Sequence, residues 1–385
     1  MRFPEFSGEW NKDTINDLAT VVGGGTPDTT VKSYWGGDIQ WFTPSEIGKN
    51  KYVDFSKRTI TRDGLDNSSA KLLPLHTILL SSRATVGECS IASNECTTNQ
   101  GFQSLIAKQC NIDFLYYLIQ TKKKDLIRNA CGSTFLEISA NEIRKIKVAV
   151  PVQNEQEQIA KLLSLIDERI ATQNKIIEKL QSLIKGLVDE LMTVLLKGKL
   201  YPFSSFYIKA GEGGTPTTSV VEYYTEGTIP FIKIEDLSCK YLTNNKDFIT
   251  ELGMQKSSAW LIPSKSVIYS NGATIGAISI NEYPVCTKQG ILGIVPNTNI
   301  NVEYLYLLMS SSYFSKEISR IITEGTMKTA YLKDINHIKC PLPSMAQQKN
   351  ITNLTSSIEE KLSIEQELLR FLNLQKQYLL HMIFI

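Results

Sequence analysis

The sequence predicts a mixed α/β fold in which two similar globular domains are each followed by a long helix. The first observation is an internal repeat, because the run GGGTPDTT at 23–30 returns as GEGGTPTT at 211–218. The second is a seven-residue apolar spacing over 154–196 and again over 345–384. A repeat unit close to half of the chain indicates duplication of a whole domain, since solenoid repeats span only tens of residues. What recurs is a domain plus its helix, which predicts approximate two-fold symmetry.

Other short motifs return with the same spacing and fix the division of the chain. The run ATVG at 84–87 returns as ATIG at 273–276, and apolar runs at 78–80 and 147–150 predict strands. The segment that leads into the second copy is shorter, so we expect its N-terminal element to be truncated or remodelled. We divide the chain into a first domain at 1–152, a central long helix at 153–198, a second domain at 199–343 and a C-terminal long helix at 344–385.

Composition places the chain among ordinary globular proteins. The 385 residues are 42% hydrophobic and 21% charged, which suits two to three domains with real cores. The opening residues have no apolar signal-peptide region, and no apolar stretch is long enough to cross a membrane. Seven cysteines without a C-x-x-C pair argue against a disulfide framework or a zinc site. We therefore expect a cytoplasmic protein.

The net charge of +2 does not by itself indicate a nucleic-acid-binding protein. Residues 1–152 hold 18 basic against 16 acidic side chains, and residues 201–342 hold 12 against 12. Nucleic-acid-binding domains often carry a strong basic excess. Any contact with DNA must therefore depend on local clusters.

Each long helix shows the apolar heptad pattern of a coiled-coil seam. One row on the central helix is Ile159, Ile166, Gln173, Leu180, Leu187 and Val194, and the other is Leu163, Ile170, Ile177, Ile184 and Leu191. The matching row on the C-terminal helix is Ile351, Ile358, Glu365, Leu372 and Leu379. Gln173 and Glu365 occupy equivalent positions, where a buried polar residue commonly sets the register. The alternative is that both lie at a solvated edge.

A series of motifs then occurs in a characteristic order. They are RFPEFSGEW at 2–10, GGTP at 24–27, ATVG at 84–87, NQG at 99–101, EQEQIA at 155–160 after Pro151, and LMTVLLKGK at 191–199. The series resembles the specificity subunit of type I restriction–modification systems, and the resemblance covers the entire chain. Each motif alone is weakly specific, whereas their order, duplicated with intervening helices, is specific.

The resemblance implies a non-catalytic subunit that recognises double-stranded DNA. Two target-recognition domains would each grip one half of a split sequence, and the two helices would pack antiparallel as a spacer between them. Two methyltransferase subunits and, in the full complex, restriction subunits would assemble on this scaffold. S-adenosylmethionine, ATP and Mg would belong to those partner subunits, with no cofactor on this chain and no membrane contact.

The sequence holds little that could catalyse a reaction by itself. Only three histidines occur (His76, His337, His381), and no phosphate-binding G-x-x-x-x-G-K-[ST] loop is present. The glycines at 23–25 and 211–214 run directly into Thr-Pro, which disfavours the helix that a dinucleotide site requires. We interpret the repeated glycines and prolines as scaffold turns. They are Gly25, Pro27, Gly87, Gly214, Pro216 and Gly276.

Residues that differ between the two copies are the better candidates for base contacts, because domains that read different half-sites share a scaffold. When the two copies are aligned, Ser82-Arg83 corresponds to Asn271-Gly272, and Asn99 corresponds to Lys288. Arg and Lys suit guanine, and Asn suits adenine. The basic run at 122–124 could contact phosphates, and drift at solvated positions is the alternative throughout. The DNA-binding candidates are Ser82, Arg83, Asn99, Gln100, Lys122, Lys123, Lys124, Lys233, Asn271, Lys288 and Gln289.

Two other classes of function compete with DNA recognition. A duplicated scaffold could bind protein rather than DNA, and a hydrolase or nuclease could act alone. Salt-dependent binding to duplexes separates the first from DNA recognition. Turnover by the chain alone would identify the second.

Overall fold

A computed structural model describes residues 2–132, 136–272, 274–322 and 328–384. Ala273, part of the second copy of the ATVG motif, lies outside the described residues. The chain forms two compact units. Unit 1 comprises Met1–Asn174 and Glu367–Ile385, and unit 2 comprises Lys175–Gln366. Each unit therefore contains a sheet region and a stretch of each long helix, and the four-segment division remains an interpretation of the sequence.

The described residues of unit 1 form ten strands and the helices that follow them. The strands are β1 Asn11–Thr14, β2 Ala19–Gly23, β3 Trp35–Phe42, β4 Tyr52–Val53, β5 Arg58–Ile60, β6 Ile78–Leu80, β7 Cys89–Ala92, β8 Cys96–Thr98, β9 Gln103–Ala107 and β10 Lys147–Val150. The helices are α1 Ile15–Leu18, α2 Arg62–Asp66, α3 Ile112–Thr121, α4 Lys123–Arg128, α5 Ala140–Arg144 and the long α6 Gln153–Leu195. The strands predicted at 78–80 and 147–150 are confirmed as β6 and β10.

The strands described in unit 1 form three sheets, with the orders β2-β9-β6-β7-β4, β5-β3-β8 and β1-β10. Strand β6 lies at the centre of the largest sheet and is apolar throughout, as a strand covered on both faces must be. Ile78 and Leu80 belong to a core that includes Phe114 of α3. Leu79 belongs to a second core with Phe42 of β3. The five-stranded sheet is therefore packed between helix α3 and the three-stranded sheet.

Unit 2 repeats these elements in the same order. Its strands are β11 Leu200–Pro202, β12 Tyr207–Glu212, β13 Ile229–Ile232, β14 Tyr241–Leu242, β15 Asp247–Ile249, β16 Val267–Ser270, β17 Ile278–Asn281, β18 Cys286–Thr287, β19 Ile291–Pro296 and β20 Lys339–Pro341. Its helices are α7 Glu251–Gln255, α8 Val302–Ser310, α9 Ser312–Ile321, α10 Leu332–Ile335 and the long α11 Met345–Ile383.

The sheets of unit 2 have the orders β12-β19-β16-β17-β14, β15-β13-β18 and β11-β20, which match those of unit 1 strand for strand. Even the register recurs, because Ile78 pairs with Ile91 and Val267 pairs with Ile280. The predicted difference at the start of the second copy is also present. A 3-10 turn at Phe203–Ser205 stands where unit 1 has helix α1.

A glutamine fixes the start of each long helix to its own unit. The Gln156 carboxamide accepts a hydrogen bond from the backbone N of Asn111 (2.9 Å) and donates one to the carbonyl of Pro151 (2.9 Å). Gln348 makes the same pair of bonds, to the backbone N of Asn301 (2.7 Å) and the carbonyl of Pro343 (2.9 Å). The glutamine five residues after each of these prolines therefore has a structural role.

The long helices predicted at 154–196 and 345–384 are observed as α6 and α11. In unit 1 the first turns of α6 share a core with the last turns of α11, through Leu163 and Leu379. In unit 2 the end of α6 shares a core with the start of α11, through Met192 and Ile351. Opposite ends meet in both units, so the helices are antiparallel. No described helix has the length and apolar character needed to cross a lipid bilayer.

The seam follows the predicted rows at the start of α6 and departs from them later. Ile159 is buried, whereas Val194 is 61% exposed and Val188 is buried. A straight helix drifts by about 20° per heptad relative to a strict seven-residue row, so the buried positions move to neighbouring residues. Gln173 is 5% exposed, so its interpretation as a solvated-edge residue is wrong. Leu163, Ile177, Ile351, Leu372 and Leu379 are buried. Five other seam residues are partly buried, namely Ile166, Leu180, Leu187, Ile358 and Glu365.

All seven cysteines are free thiols, and most lie in the cores. Burial raises the pKa of four of these thiols to about 12, namely those of Cys89, Cys96, Cys110 and Cys340. The thiolate is the reactive form of cysteine, so these four protonated thiols serve as packing groups and not as nucleophiles.

Candidate nucleic-acid interface

Four loops of unit 1 meet around Asn99–Gly101 and form what we call loop cluster 1, comprising residues 24–30, 43–46, 81–85 and 99–101. The backbone N of Asn99 donates to the carbonyl of Phe42 (3.0 Å), and that of Gly25 donates to the carbonyl of Thr98 (2.8 Å). The backbone N of Ser82 donates to the carbonyl of Gly101 (2.8 Å). Segments that are far apart in sequence thus share one backbone network at the ends of strands β2, β3, β6 and β8.

The repeated glycines allow this close approach. A Cβ on Gly24 would lie 1.9 Å from the carbonyl oxygen of Asn99, and a Cβ on Gly213 would lie 2.1 Å from that of Thr287. Neither position can carry a side chain without moving the backbone. Gly25, Pro27, Gly214 and Pro216 are buried beside them, and Gly87 and Gly276 have φ of +90° and +101°. These positions fit the structural role that the sequence suggests.

Unit 2 builds the same arrangement, loop cluster 2, from residues 213–218, 233–236, 271–272, 274–276 and 288–290. The backbone N of Lys288 donates to the carbonyl of Ile232 (3.0 Å), and that of Asn271 donates to the carbonyl of Gly290 (3.0 Å). The backbone N of Gln289 donates to the Thr215 hydroxyl (3.3 Å). The network therefore recurs although its side chains differ.

Two of the predicted contact residues are buried, and this corrects the sequence interpretation. Ser82 and Asn271 have no exposed surface. The carbonyl of Ser82 accepts a hydrogen bond from the backbone N of Ile138 (2.9 Å), and the Asn271 carboxamide donates to the carbonyl of Ala330 (3.1 Å). Ser82 thus connects loop cluster 1 to Ile138, and Asn271 connects loop cluster 2 to Ala330. Both side chains are enclosed by protein, so neither is available for a contact with DNA in this structure.

The other candidates of unit 1 lie at or beside the surface of loop cluster 1. Gln100 is exposed and bonds to the Thr26 hydroxyl. The Asn99 carboxamide oxygen accepts from the backbone N of Gly101 (2.9 Å), which leaves its amide group for another acceptor. Arg83 is exposed and lies 3.8 Å from Glu137.

The basic run at 122–124 lies at the junction of α3 and α4, next to Gly87 and Glu88. Lys123 forms an ion pair with Glu88 and packs against Gly87. Lys122 is half-buried, and Lys124 is exposed. Lys124 therefore holds its charge at the open surface.

In unit 2, Lys288 and Gln289 are exposed at the tip of loop cluster 2. Lys233 is half-buried, and its Nζ lies 2.9 Å from Asp247 Oδ1. A hydrogen bond to that carboxylate raises the pKa of Lys233. Lys233 is therefore a charged group held in one place, whereas Lys288 carries its charge on the open surface.

Sequence reasoning missed Arg58, which borders loop cluster 1. Its guanidinium lies 3.6 Å from the ring centroid of Trp35 and 5.4 Å from that of Trp41, although the residue is exposed. The Trp35 indole donates to the carbonyl of Asp28 (3.1 Å), and the Trp41 indole to that of Gly25 (2.9 Å). No carboxylate in the described part of the chain forms an ion pair with Arg58.

The loop that Trp35 contacts is itself ordered by a carboxylate. Asp28 Oδ1 accepts from the hydroxyl (2.7 Å) and the backbone N (2.8 Å) of Thr30, and these bonds lower the pKa of Asp28. The position matching Arg58 in unit 2 is Asp247, so the charge is reversed between the copies. That reversal was visible in the sequence and is the signal that could have identified Arg58.

Comparison with known proteins agrees with this architecture. The chain is 29% identical over 382 residues to the type I restriction enzyme MjaIX specificity subunit of Methanocaldococcus jannaschii, covering 92% of this chain and 88% of that protein. It is 28% identical over 175 residues to the EcoR124I/EcoR124II specificity subunit of Escherichia coli, covering 43% of each.

Two solved structures share the fold over nearly the whole chain. The S subunit of a type I restriction–modification system from M. genitalium aligns with a TM-score of 0.55 and 19% identity, over 100% of this chain and 99% of that one. A chain from a study of complex assembly and conformational transition of the type I R-M system aligns with a TM-score of 0.63 and 14% identity, over 98% of both chains.

The family profile described as "Type I restriction modification DNA specificity domain" matches twice, at residues 7–182 and 206–373. The two matches span most of the chain and each covers one copy of the repeat with its helix. The chain therefore belongs to the type I restriction–modification DNA specificity family.

Proposed function

We propose that this chain is the DNA sequence-recognition subunit of a type I restriction–modification complex, in which each unit reads one half of a bipartite target. The observation that carries the proposal is the loop cluster, which is built twice on the same backbone network but presents different exposed side chains. At matching positions, unit 1 presents Arg58 and the partly exposed Asn99, whereas unit 2 presents Asp247, which is paired with Lys233, and the exposed Lys288. A shared scaffold with divergent polar tips is what two readers of different sequences need.

The exposed groups suit the edges of bases. An arginine fork matches the O6 and N7 atoms of guanine, and a carboxamide matches the N6 and N7 atoms of adenine. Arg58 is the best ordered of these groups because its guanidinium is stacked on Trp35, which lowers the entropy lost on binding. Arg83 in the cluster and Lys124 on α4 are both exposed and suit phosphates, which position a protein on DNA without reading its sequence.

The long helices α6 and α11 are proposed to fix the spacing of the half-sites and to dock two methyltransferase subunits, with restriction subunits joining the full complex. Both helices are continuous and antiparallel, which suits a spacer of defined length. The structural neighbour from the study of type I complex assembly supports a place in such an assembly.

Methyl transfer and cleavage are proposed to lie in the partner subunits, with S-adenosylmethionine, ATP and Mg bound there. The family to which the chain belongs is named for DNA specificity, and this supports a non-catalytic role. The same role places the protein in the cytoplasm, where its DNA substrate lies.

Binding measurements on the complex with its methyltransferase test the proposal. Fluorescence anisotropy should show tight binding to a duplex that carries the target identified by methylome sequencing of the host. Binding to random duplexes should be weaker and should fall steeply with salt, because phosphate contacts release counterions. Equal affinity for all duplexes, or no binding at any salt concentration, would instead favour the duplicated protein-binding scaffold.

A further inference from the structure

A largely buried lysine occupies the same place in each unit. Lys51 precedes strand β4 and Lys240 precedes strand β14, and their side chains are 11% and 13% exposed. The carbonyl of Lys51 accepts a hydrogen bond from the backbone N of Ile91, and that of Lys240 accepts from Ile280, both at 2.7 Å. Each lysine is therefore anchored in the five-stranded sheet of its unit by its backbone.

In unit 1 the side chain of Lys51 reaches from the sheet to two helices. Its Nζ lies 2.8 Å from Asp113 Oδ1 on α3 and 2.7 Å from the Ser164 hydroxyl on α6. The Tyr117 hydroxyl lies 3.2 Å away, and the ring centroid of Tyr117 lies 4.7 Å from the same Nζ. The ammonium group of Lys51 thus contacts α3 and the long helix α6 at the same time.

The network continues to the second long helix of unit 1. The Tyr117 hydroxyl donates to Asp167 Oδ2 on α6 (2.7 Å), and Asp167 Oδ1 lies 2.7 Å from Lys376 Nζ on α11. Both members of the Asp167–Lys376 pair are less than one-fifth exposed. The charges of Lys51, Asp113, Asp167 and Lys376 therefore balance within one cluster.

Unit 2 reaches the same result with different partners. Lys240 Nζ lies 2.5 Å from Glu359 Oε2 on α11 and 3.8 Å from Glu303 Oε2 on α8. The hydroxyl of Tyr241 donates to Glu303 Oε1 (2.7 Å), and the ring of Tyr306 lies 5.6 Å from Lys240. In both units a lysine from the sheet contacts a carboxylate on the short helix, and on the long helix it contacts a hydroxyl in unit 1 and a carboxylate in unit 2.

A lysine in this position resists movement of the sheet against the long helix. A charge held largely away from water needs its partners, and separating it from them leaves it poorly solvated. The partners lie on elements other than the lysine's own strand, so any rotation of the sheet relative to the helix breaks several contacts together. Exposed pairs such as Lys145–Glu142 do not have this property, because both residues lie on or next to one helix turn.

We propose that Lys51 and Lys240 are positioning residues that lock each sheet region onto the long helices and so make the complex selective for one spacer length between the half-sites. The inference rests on the proposed function, since spacer selectivity has meaning only for a bipartite DNA target. It assigns to these lysines a role separate from base recognition, because neither lies in a loop cluster.

The test measures the affinity of the full chain, in complex with its methyltransferase, for a series of duplexes. Both half-sites are kept in every duplex, and the spacer varies by one base pair at a time. We expect K51M and K240M to lower the preference for the native spacer over its neighbours by about tenfold, which corresponds to about 1.4 kcal/mol. The preference for each half-site sequence should stay unchanged. K145M and K265M remove exposed lysines of surface ion pairs and serve as matched controls.

Charge reversal guards against variants that simply fold poorly. K240E should lose spacer preference, and K240E combined with E359K should restore it, because the pair is then rebuilt with opposite polarity. Unchanged spacer preference in K51M and K240M would overturn the positioning role. An equal loss of affinity for duplexes of every spacer length would overturn it too. A wild-type complex without any preference for half-site sequence would contradict the proposed function itself, and the positioning role with it.

Discussion

Replacement of Arg58 by alanine is the sharpest test of how loop cluster 1 reads DNA. The side chain is exposed and stacked on Trp35, so its loss should cost the fold only about 0.5–1 kcal/mol, the usual worth of an exposed cation–π contact. A two-bond contact between arginine and guanine is worth about 1–3 kcal/mol of discrimination. R58A should therefore lose a factor of about 5 to 150 in preference at one base pair of one half-site.

The assay is competitive binding of the methyltransferase complex to duplexes that carry each single-base change in the target. R58K is informative because it keeps the charge but lacks the planar fork, so it should retain affinity and lose discrimination. Arg62 is an exposed arginine near Arg58 that pairs with Asp66, and R62A is the matched control. Full discrimination at every position in R58A would refute the base-reading role. A uniform loss of affinity across all duplexes would reassign Arg58 to a phosphate.

Three further changes test other parts of the structure. Gln156→Ala leaves the backbone N of Asn111 without its acceptor and should lower the free energy of unfolding by about 1–3 kcal/mol in urea titrations, whereas exposed Gln153→Ala should have little effect. Alkylation of the native protein followed by mass spectrometry should modify the exposed Cys131 and Cys239 much faster than the buried thiols, and equal labelling would contradict the burial. Insertion of one heptad into both α6 and α11 should lengthen the unspecified spacer without changing either half-site, and an unchanged spacer in methylome sequencing would disprove the role of the helices as a ruler.

Much of the fold could be predicted from the sequence because the chain repeats itself. Matched motifs at constant spacing require matched strands, and the continuous apolar run of β6 requires a strand buried on both faces. Heptad spacing identified α6 and α11 to within a residue or two. The exposure of Val194 could not be predicted in the same way. The drift of a helix relative to a seven-residue row depends on what packs against the helix, and the sequence of the helix alone does not show this.

The candidate interface was only partly predictable. Comparison of the copies selects positions that differ, but it carries no information about burial, and for this reason Ser82 and Asn271 were selected although they lie inside the loop clusters. Arg58 gains its order from Trp35, a residue more than twenty positions away, and this contact exists only after β3 and β5 pair. Lys51 was equally hidden, because its partners come from α3 and α6.

Unit 1 consists of two segments that are far apart in the sequence, and this has a consequence for how the protein folds during synthesis. Its core is closed by the last residues described, where Phe384 packs against Trp10 and Phe114 with ring centroids 6.2 and 5.4 Å apart. Unit 2 is one continuous stretch, Lys175–Gln366, and contains all the residues of its own core. The larger part of unit 1 precedes unit 2 in the chain, yet its core cannot be completed until residues 367–384 have been synthesised. Until that segment is available, the apolar surfaces of α3 and of the start of α6 lack the side chains of α11 that cover them in the folded unit.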